Sequence, residues 1–140
     1  MAGDERKVAD TKHLEFLQAV ITRLAGNSFL IKGWSVTLTT AIIGFAVKDA
    51  GPGFALVGLA PVAVFALLDA YYLGLEKAFR DRFDIAAAAY VAGEPPDFDM
   101  SSRFGIGSFF RAVGWPAVLG LHGLLGVLLV ATYILLCSNP

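Results

Sequence analysis

Asp69-Ala-Tyr-Tyr-Leu-Gly-Leu-Glu-Lys-Ala-Phe-Arg-Asp-Arg-Phe-Asp84 is the point where a water-averse chain becomes charged without losing its helical period. Glu76 and Arg80, Lys77 and Asp81, and Arg80 and Asp84 stand four apart, so a helix brings opposite charges together. Phe79, Phe83 and the alanines at 86–89 keep an apolar strip on the same helix. Upstream lies a run of about seventeen apolar residues, the length of a short membrane span. The reading is one long helix that leaves a bilayer near Asp69 and continues into water.

Working outward, the second span takes residues 54–73 and continues as helix to about residue 92. Pro61 lies inside it and predicts a slight kink. A tight Gly51-Pro52-Gly53 turn joins it, antiparallel, to a first span at residues 29–47. Ser35, Thr37, Thr39 and Thr40 make that first span rich in hydroxyls, so its polar side should face protein. Before it, residues 11–27 read as an amphipathic cytoplasmic helix with Leu14, Leu17, Ile21 and Leu24 at steps of three and four. Its apolar face needs cover: the bilayer surface, the charged helix after Asp69, or another subunit. The spacing resembles a short coiled-coil seam, and Gly26-Asn27-Ser28 interrupts or bends the helix before the membrane.

After the second span, residues 94–110 are rich in Pro, Asp, Ser and Gly and read as a cytoplasmic loop, with Phe98, Met100, Phe104 and Ile106 laid along the membrane surface. Residues 112–137 carry no formal charge and form the third span. Gly120, Gly123 and Gly126 give it a small-residue face for close helix packing.

Composition agrees with this layout. The chain has 140 residues, 56% hydrophobic and 16% charged, against about a quarter charged in soluble domains. A soluble fold would have to bury three nearly uncharged runs in one small core, which its surface-to-volume ratio opposes. A secretory signal is not expected, because the first long apolar run begins only after Lys32. The net charge of −1 supplies no field for nucleic acid. The expected class is therefore an all-α integral membrane protein in a bacterial inner membrane, with three transmembrane helices. Arg6, Lys7, Lys12, Arg23 and Lys32 precede the first span, and Lys77, Arg80, Arg82, Arg103 and Arg111 separate the second from the third. The hairpin between the first two spans holds only Lys48, so the N-terminus is expected inside and the C-terminus outside. Trp34, Tyr71, Tyr72 and Trp115 fall at inner-interface depth.

Candidate functional residues are few. Asp69 stands at the inner boundary of the hydrocarbon, where an ionisable group is costly unless paired. It predicts an inter-helix ion pair with Lys32 or Arg23; a pore mouth or ligand-responsive pair is the functional form of the same contact. Glu76, Lys77, Arg80, Asp81 and Asp84 form a candidate cytoplasmic lever. His122, with Thr37, Thr39 and Thr40, makes up the intramembrane polar set; a neutral His bonded to a nearby hydroxyl is the simple reading, a proton relay the other. His13 and Glu15 are too isolated for a metal site, Cys137 is a lone thiol, and no catalytic triad, phosphate loop or Cys/His spacing appears. No metal, no cofactor and no enzymatic activity are expected.

His13-Leu-Glu-Phe-Leu-Gln18, Asn27-Ser-Phe-Leu-Ile-Lys-Gly-Trp34 and Leu68-Asp-Ala-Tyr-Tyr-Leu73 resemble a widespread family of small uncharacterised bacterial membrane proteins. The resemblance covers about half the chain and implies membrane topology. In architecture alone, a helix followed by a short two-span hairpin is similar to membrane effectors of bacterial defence systems. Together these point to a homo-oligomeric, non-enzymatic pore or membrane-perturbing effector. The alternative is a membrane anchor or accessory subunit that recruits a cytoplasmic protein through residues 13–24.

Overall fold

The computed structural model describes residues 2–94, 98–101 and 103–138. It consists of α1 (Ala2–Phe45), a π-helical turn (Ala46–Ala50), α2 (Pro52–Val57), α3 (Leu59–Ala92), α4 (Ile106–Val113) and α5 (Pro116–Ser138). No strand occurs among the described residues. The stretches Val8–Lys48, Pro52–Ala92 and Pro116–Ser138 are long and apolar enough to cross a membrane. Only 22%, 28% and 22% of their most apolar windows are buried within the chain. Most of that apolar surface faces outward, an arrangement suited to lipid rather than water as solvent.

The first correction concerns α1, which is one continuous helix where residues 11–27 and 29–47 were expected to be two. A glycine such as Gly26 costs about 1 kcal/mol relative to alanine inside a helix. Flanking burial of Leu24 and Ser28 offsets that penalty. The inward positions of α1 are His13, Leu17, Ile21, Leu24, Ser28, Ser35 and Thr39, separated by three, four or seven residues, and Ala46 of the π-helical turn follows seven further on. They make a single stripe, and α3 is its principal neighbour. Within residues 13–24, the stretch expected to recruit a partner, His13, Leu17, Ile21 and Leu24 are buried and the Phe98 ring covers His13 edge-on at 5.6 Å, while Phe16 stays exposed.

The turn between α1 and α2 requires Gly51, whose φ of 76° a side chain would strain. The second span parts one turn before Pro61, at Gly58 between α2 and α3. Pro61 has no N–H to offer the Val57 carbonyl, so the helix is already released there. A Cβ on Gly58 would meet Leu129 at 2.9 Å and Ile42 at 3.0 Å, so the same residue lets α1 and α5 close in. α3 then runs 34 residues to a left-handed Gly93 (φ 71°), where the Glu94 N–H donates to the Ala89 carbonyl at 3.0 Å.

Two further boundaries move. Residues 106–110, expected in the loop, belong to α4, whose first turn closes when the Phe109 N–H donates to Gly105 O at 3.0 Å. The third span starts at Pro116 and not at residue 112. Gly114 and Trp115 interrupt it, because a proline disfavours helical backbone in the residue before it while suiting the first position of the next helix.

Packing divides the bundle into two apolar clusters. Val62, Leu125 and Leu129, flanked by Ile42, Ile43, Leu59 and Leu121, close the end near the α1–α2 turn. Ala70, Ala112 and Val118, flanked by Ala66, Leu73, Phe109, Val113 and Trp115, close the other. Asp69 and His122 lie between them along α3 and α5.

Candidate functional site

Asp69 is fully buried, 0% exposed. It does not sit at a hydrated edge, and its position on α3 next to Ala70 turns it inward against α1 and α5. The Ser28 hydroxyl donates to Asp69 Oδ1 at 2.5 Å, and Lys32 Nζ donates to the same oxygen at 2.5 Å. Lys32 Nζ also donates to Ser28 Oγ at 2.8 Å. Ser28 and Lys32 are one helical turn apart, so a single face of α1 delivers both. The Lys32 side chain remains 25% exposed, its stem lying along the bundle while its ammonium reaches in.

The third helix completes the centre. His122 Nδ1 stands 3.9 Å from Asp69 Oδ2, an electrostatic neighbour when the ring is protonated but beyond hydrogen-bond range. The same nitrogen lies 3.1 Å from the Val118 carbonyl. With Nδ1 donating there, Nε2 presents its lone pair to the interior. Asp69 Oδ2, His122 Nε2, Ser35 Oγ and Thr39 Oγ1 are buried without hydrogen-bond partners among the described residues. Each such group costs about 1–3 kcal/mol relative to a satisfied one. The bundle thus carries a polar line inside helices whose outer faces are apolar.

Several expected residues lie elsewhere. Arg23 is exposed and makes no ion pair among the described residues; its place beside Asp69 is taken by Ser28. Thr37 and Thr40 are exposed and donate back to Gly33 O and Val36 O, each at 2.9 Å, so they satisfy their own helix and do not join the centre. Thr39 faces inward. His122 bonds a carbonyl and not a hydroxyl, and its carboxylate neighbour is on α3, a pairing invisible along α5 alone. Ser28 was missed as well. Its signal is its place four residues after Leu24 and four before Lys32 on the continued stripe.

On the extension of α3, Arg80 engages Glu76 Oε1 through Nε at 2.8 Å and Nη2 at 2.6 Å, and Glu76 is buried. Lys77 and Asp81 meet at 3.4 Å in the open. Asp84 is exposed and makes no ion pair among the described residues. Arg82 ties the segment after α3 back to it, donating to Asp99 O at 2.8 Å with its Nη2 3.3 Å from Asp99 Oδ2. Hydrogen bonds from the Ser101 hydroxyl and backbone N–H, helped by Arg82 and Arg103, hold the Asp99 carboxyl below its ordinary value. Among the described residues, no three His, Cys, Asp or Glu side chains converge as a metal site.

No family model matches this chain, and no curated protein or solved structure does either.

Proposed function

We propose that this is a multi-pass inner-membrane protein, N-terminus inside and C-terminus outside, that acts without catalysis as a homo-oligomeric pore or membrane-perturbing effector. The observation that carries the reading is the Ser28–Lys32–Asp69–His122 centre, continued by Ser35 and Thr39, in the interior of helices that are apolar outside. Ionisable side chains among spanning helices mark ion paths or couplings more often than scaffolding. In one chain the Val62–Leu125–Leu129 cluster closes the line, so conduction requires the helices to move apart there. Gly120 and Gly123 have open space where a side chain would stand, which leaves α5 a face for close approach by another copy.

Reconstitution into liposomes tests this. Ion flux is expected, and Asp69→Asn is expected to change its rate several-fold, while chemical cross-linking yields species larger than one chain. A strictly monomeric protein without flux would refute the proposal.

A second reading, an anchor for a cytoplasmic partner, draws on the exposed Phe16, Ile85 and Val91, which stand on the parts of α1 and α3 outside the expected spans. It predicts a co-purifying protein and no flux.

A further inference from the structure

A cleft of about 380 Å³ lies beyond the polar centre, between α3 and the segment running from Asp99 into α5. Its charged lining is Lys77, Arg82, Arg103 and Arg111 against Asp81 and Asp99. Asp81 faces Lys77 and Asp99 holds Arg82, whereas Arg103 and Arg111 make no ion pair among the described residues. The cleft is therefore cationic: Arg103 feels the Asp99 carboxylate without pairing with it, and Arg111 makes no ion pair among the described residues. Its apolar lining includes Phe104, Ile85 and Trp115. The Phe104 ring lies on Gly74, where a Cβ would overlap it.

The surroundings define what such a cleft meets. α4 carries Ile106 and Phe110 one turn apart, 79% and 67% exposed, and its last turn carries Arg111. That is the make-up of a helix lying in a membrane interface, apolar face toward acyl chains and cations toward headgroups. α5 begins at Pro116, immediately after Trp115, so the cleft opens where the third apolar helix starts.

We propose that this cleft binds the phosphate of an anionic phospholipid headgroup, with Arg103 and Arg111 as phosphate ligands and Phe104 and Trp115 against the glycerol and upper acyl region. Guanidinium forks suit phosphate oxygens, and a phosphodiester is the anion concentrated at this depth. The apolar lining of Phe104 and Trp115 distinguishes a lipid from a water-soluble phosphate ester, which has nothing to place against it. This assignment needs membrane insertion but not pore activity.

The full-length protein in a non-ionic detergent is titrated with phosphatidylglycerol, phosphatidylcholine or glycerol 3-phosphate and read by native mass spectrometry. Phosphatidylglycerol is expected to be retained in preference to phosphatidylcholine. The Arg103→Gln/Arg111→Gln variant is expected to bind it about thirtyfold more weakly, at roughly fivefold for each basic group near a membrane surface. Asp81→Asn should shift affinity the other way. Lys12→Gln/Arg23→Gln removes the same charge from exposed positions elsewhere on α1 and should leave binding unchanged. Equal losses in both double variants, equal retention of phosphatidylcholine, or displacement of the lipid by equimolar glycerol 3-phosphate would overturn the assignment.

Discussion

At the scale of single residues, the centre is asymmetric, and the asymmetry decides which member it can least afford to lose. Asp69 is enclosed on all sides, whereas Lys32 keeps a quarter of its side chain in the open. Removing the ammonium with Lys32→Met leaves a carboxylate facing only the Ser28 hydroxyl and a His122 ring 3.9 Å away. Stranding a buried charge costs about 3–5 kcal/mol. Asp69→Asn keeps the shape and an acceptor for Ser28, and the Lys32 ammonium can turn outward to water, so the loss is about 1–2 kcal/mol. Denaturant unfolding in detergent, followed by circular dichroism, should rank Lys32→Met well below Asp69→Asn. An equal or reversed ranking would mean that Asp69 is not held as a buried anion.

Among the elements, the segment after α3 depends on one close approach. Phe104 packs where Gly74 has no side chain, its ring also meeting Tyr71 edge-on at 5.7 Å. In Gly74→Ala the ring must leave, at a cost of roughly 1–3 kcal/mol for overpacking. The expected result is faster backbone hydrogen exchange at residues 98–101 and 103–105, with α1 unchanged. Phe104→Ala in the same chain should cancel most of the added effect, and additivity of the two changes would refute the contact. This contact also shows where sequence reasoning stops. The helical period of α3 through its charged end and the apolar steps from Leu14 to Leu24 are local patterns, readable from spacing, and the Lys32–Asp69 pair, 37 positions apart, is legible only because each charge borders an apolar run at the same depth. Gly74 against Phe104, and His122 against Asp69, join residues thirty or more positions apart on different elements, and no period encodes them. The α1 seam was cut short at Leu24 for a related reason. Its next members, Ser28, Lys32, Ser35 and Thr39, are polar, and a polar residue at a seam position is recognisable only once its buried partner is known. Pro61 signals a discontinuity in the sequence, whereas the one before Pro116 goes unread within the uncharged run 112–137, and each break falls before its proline because the backbone a proline disturbs belongs to the preceding turn.

For the whole molecule, helix length sets the geometry. At 1.5 Å per residue the 44 residues of α1 extend roughly 66 Å and the 34 of α3 roughly 51 Å. A hydrocarbon core is only about 30 Å thick. With their near ends joined by a turn of a few residues, both helices would overshoot such a core on the same side, as an antiparallel pair in which α3 is the principal neighbour of α1. α5, with 23 residues, matches one crossing. Charge then selects the side. The overshooting pair and the adjoining segment hold Lys12, Arg23, Lys77, Arg80, Arg82, Arg103 and Arg111, while the turn between α1 and α2 is flanked by Lys48 alone. Basic flanks are retained in the cytoplasm, so the proposed topology puts the paired extension inside and the end of α5 outside. Cys137 is the one cysteine and is exposed near that end, which makes it a ready reporter. In intact bacterial cells with the outer membrane permeabilised, a membrane-impermeant maleimide should label Cys137 without lysis. In the Cys137→Ser/Asp84→Cys chain, whose new thiol stands on the exposed extension of α3, labelling should appear only after the inner membrane is opened. The opposite pattern would invert the topology. Labelling of both sites in intact cells would mean that α3 does not carry its extension across to the cytoplasm. The two thiols separate these outcomes because they lie at opposite ends of the same bundle.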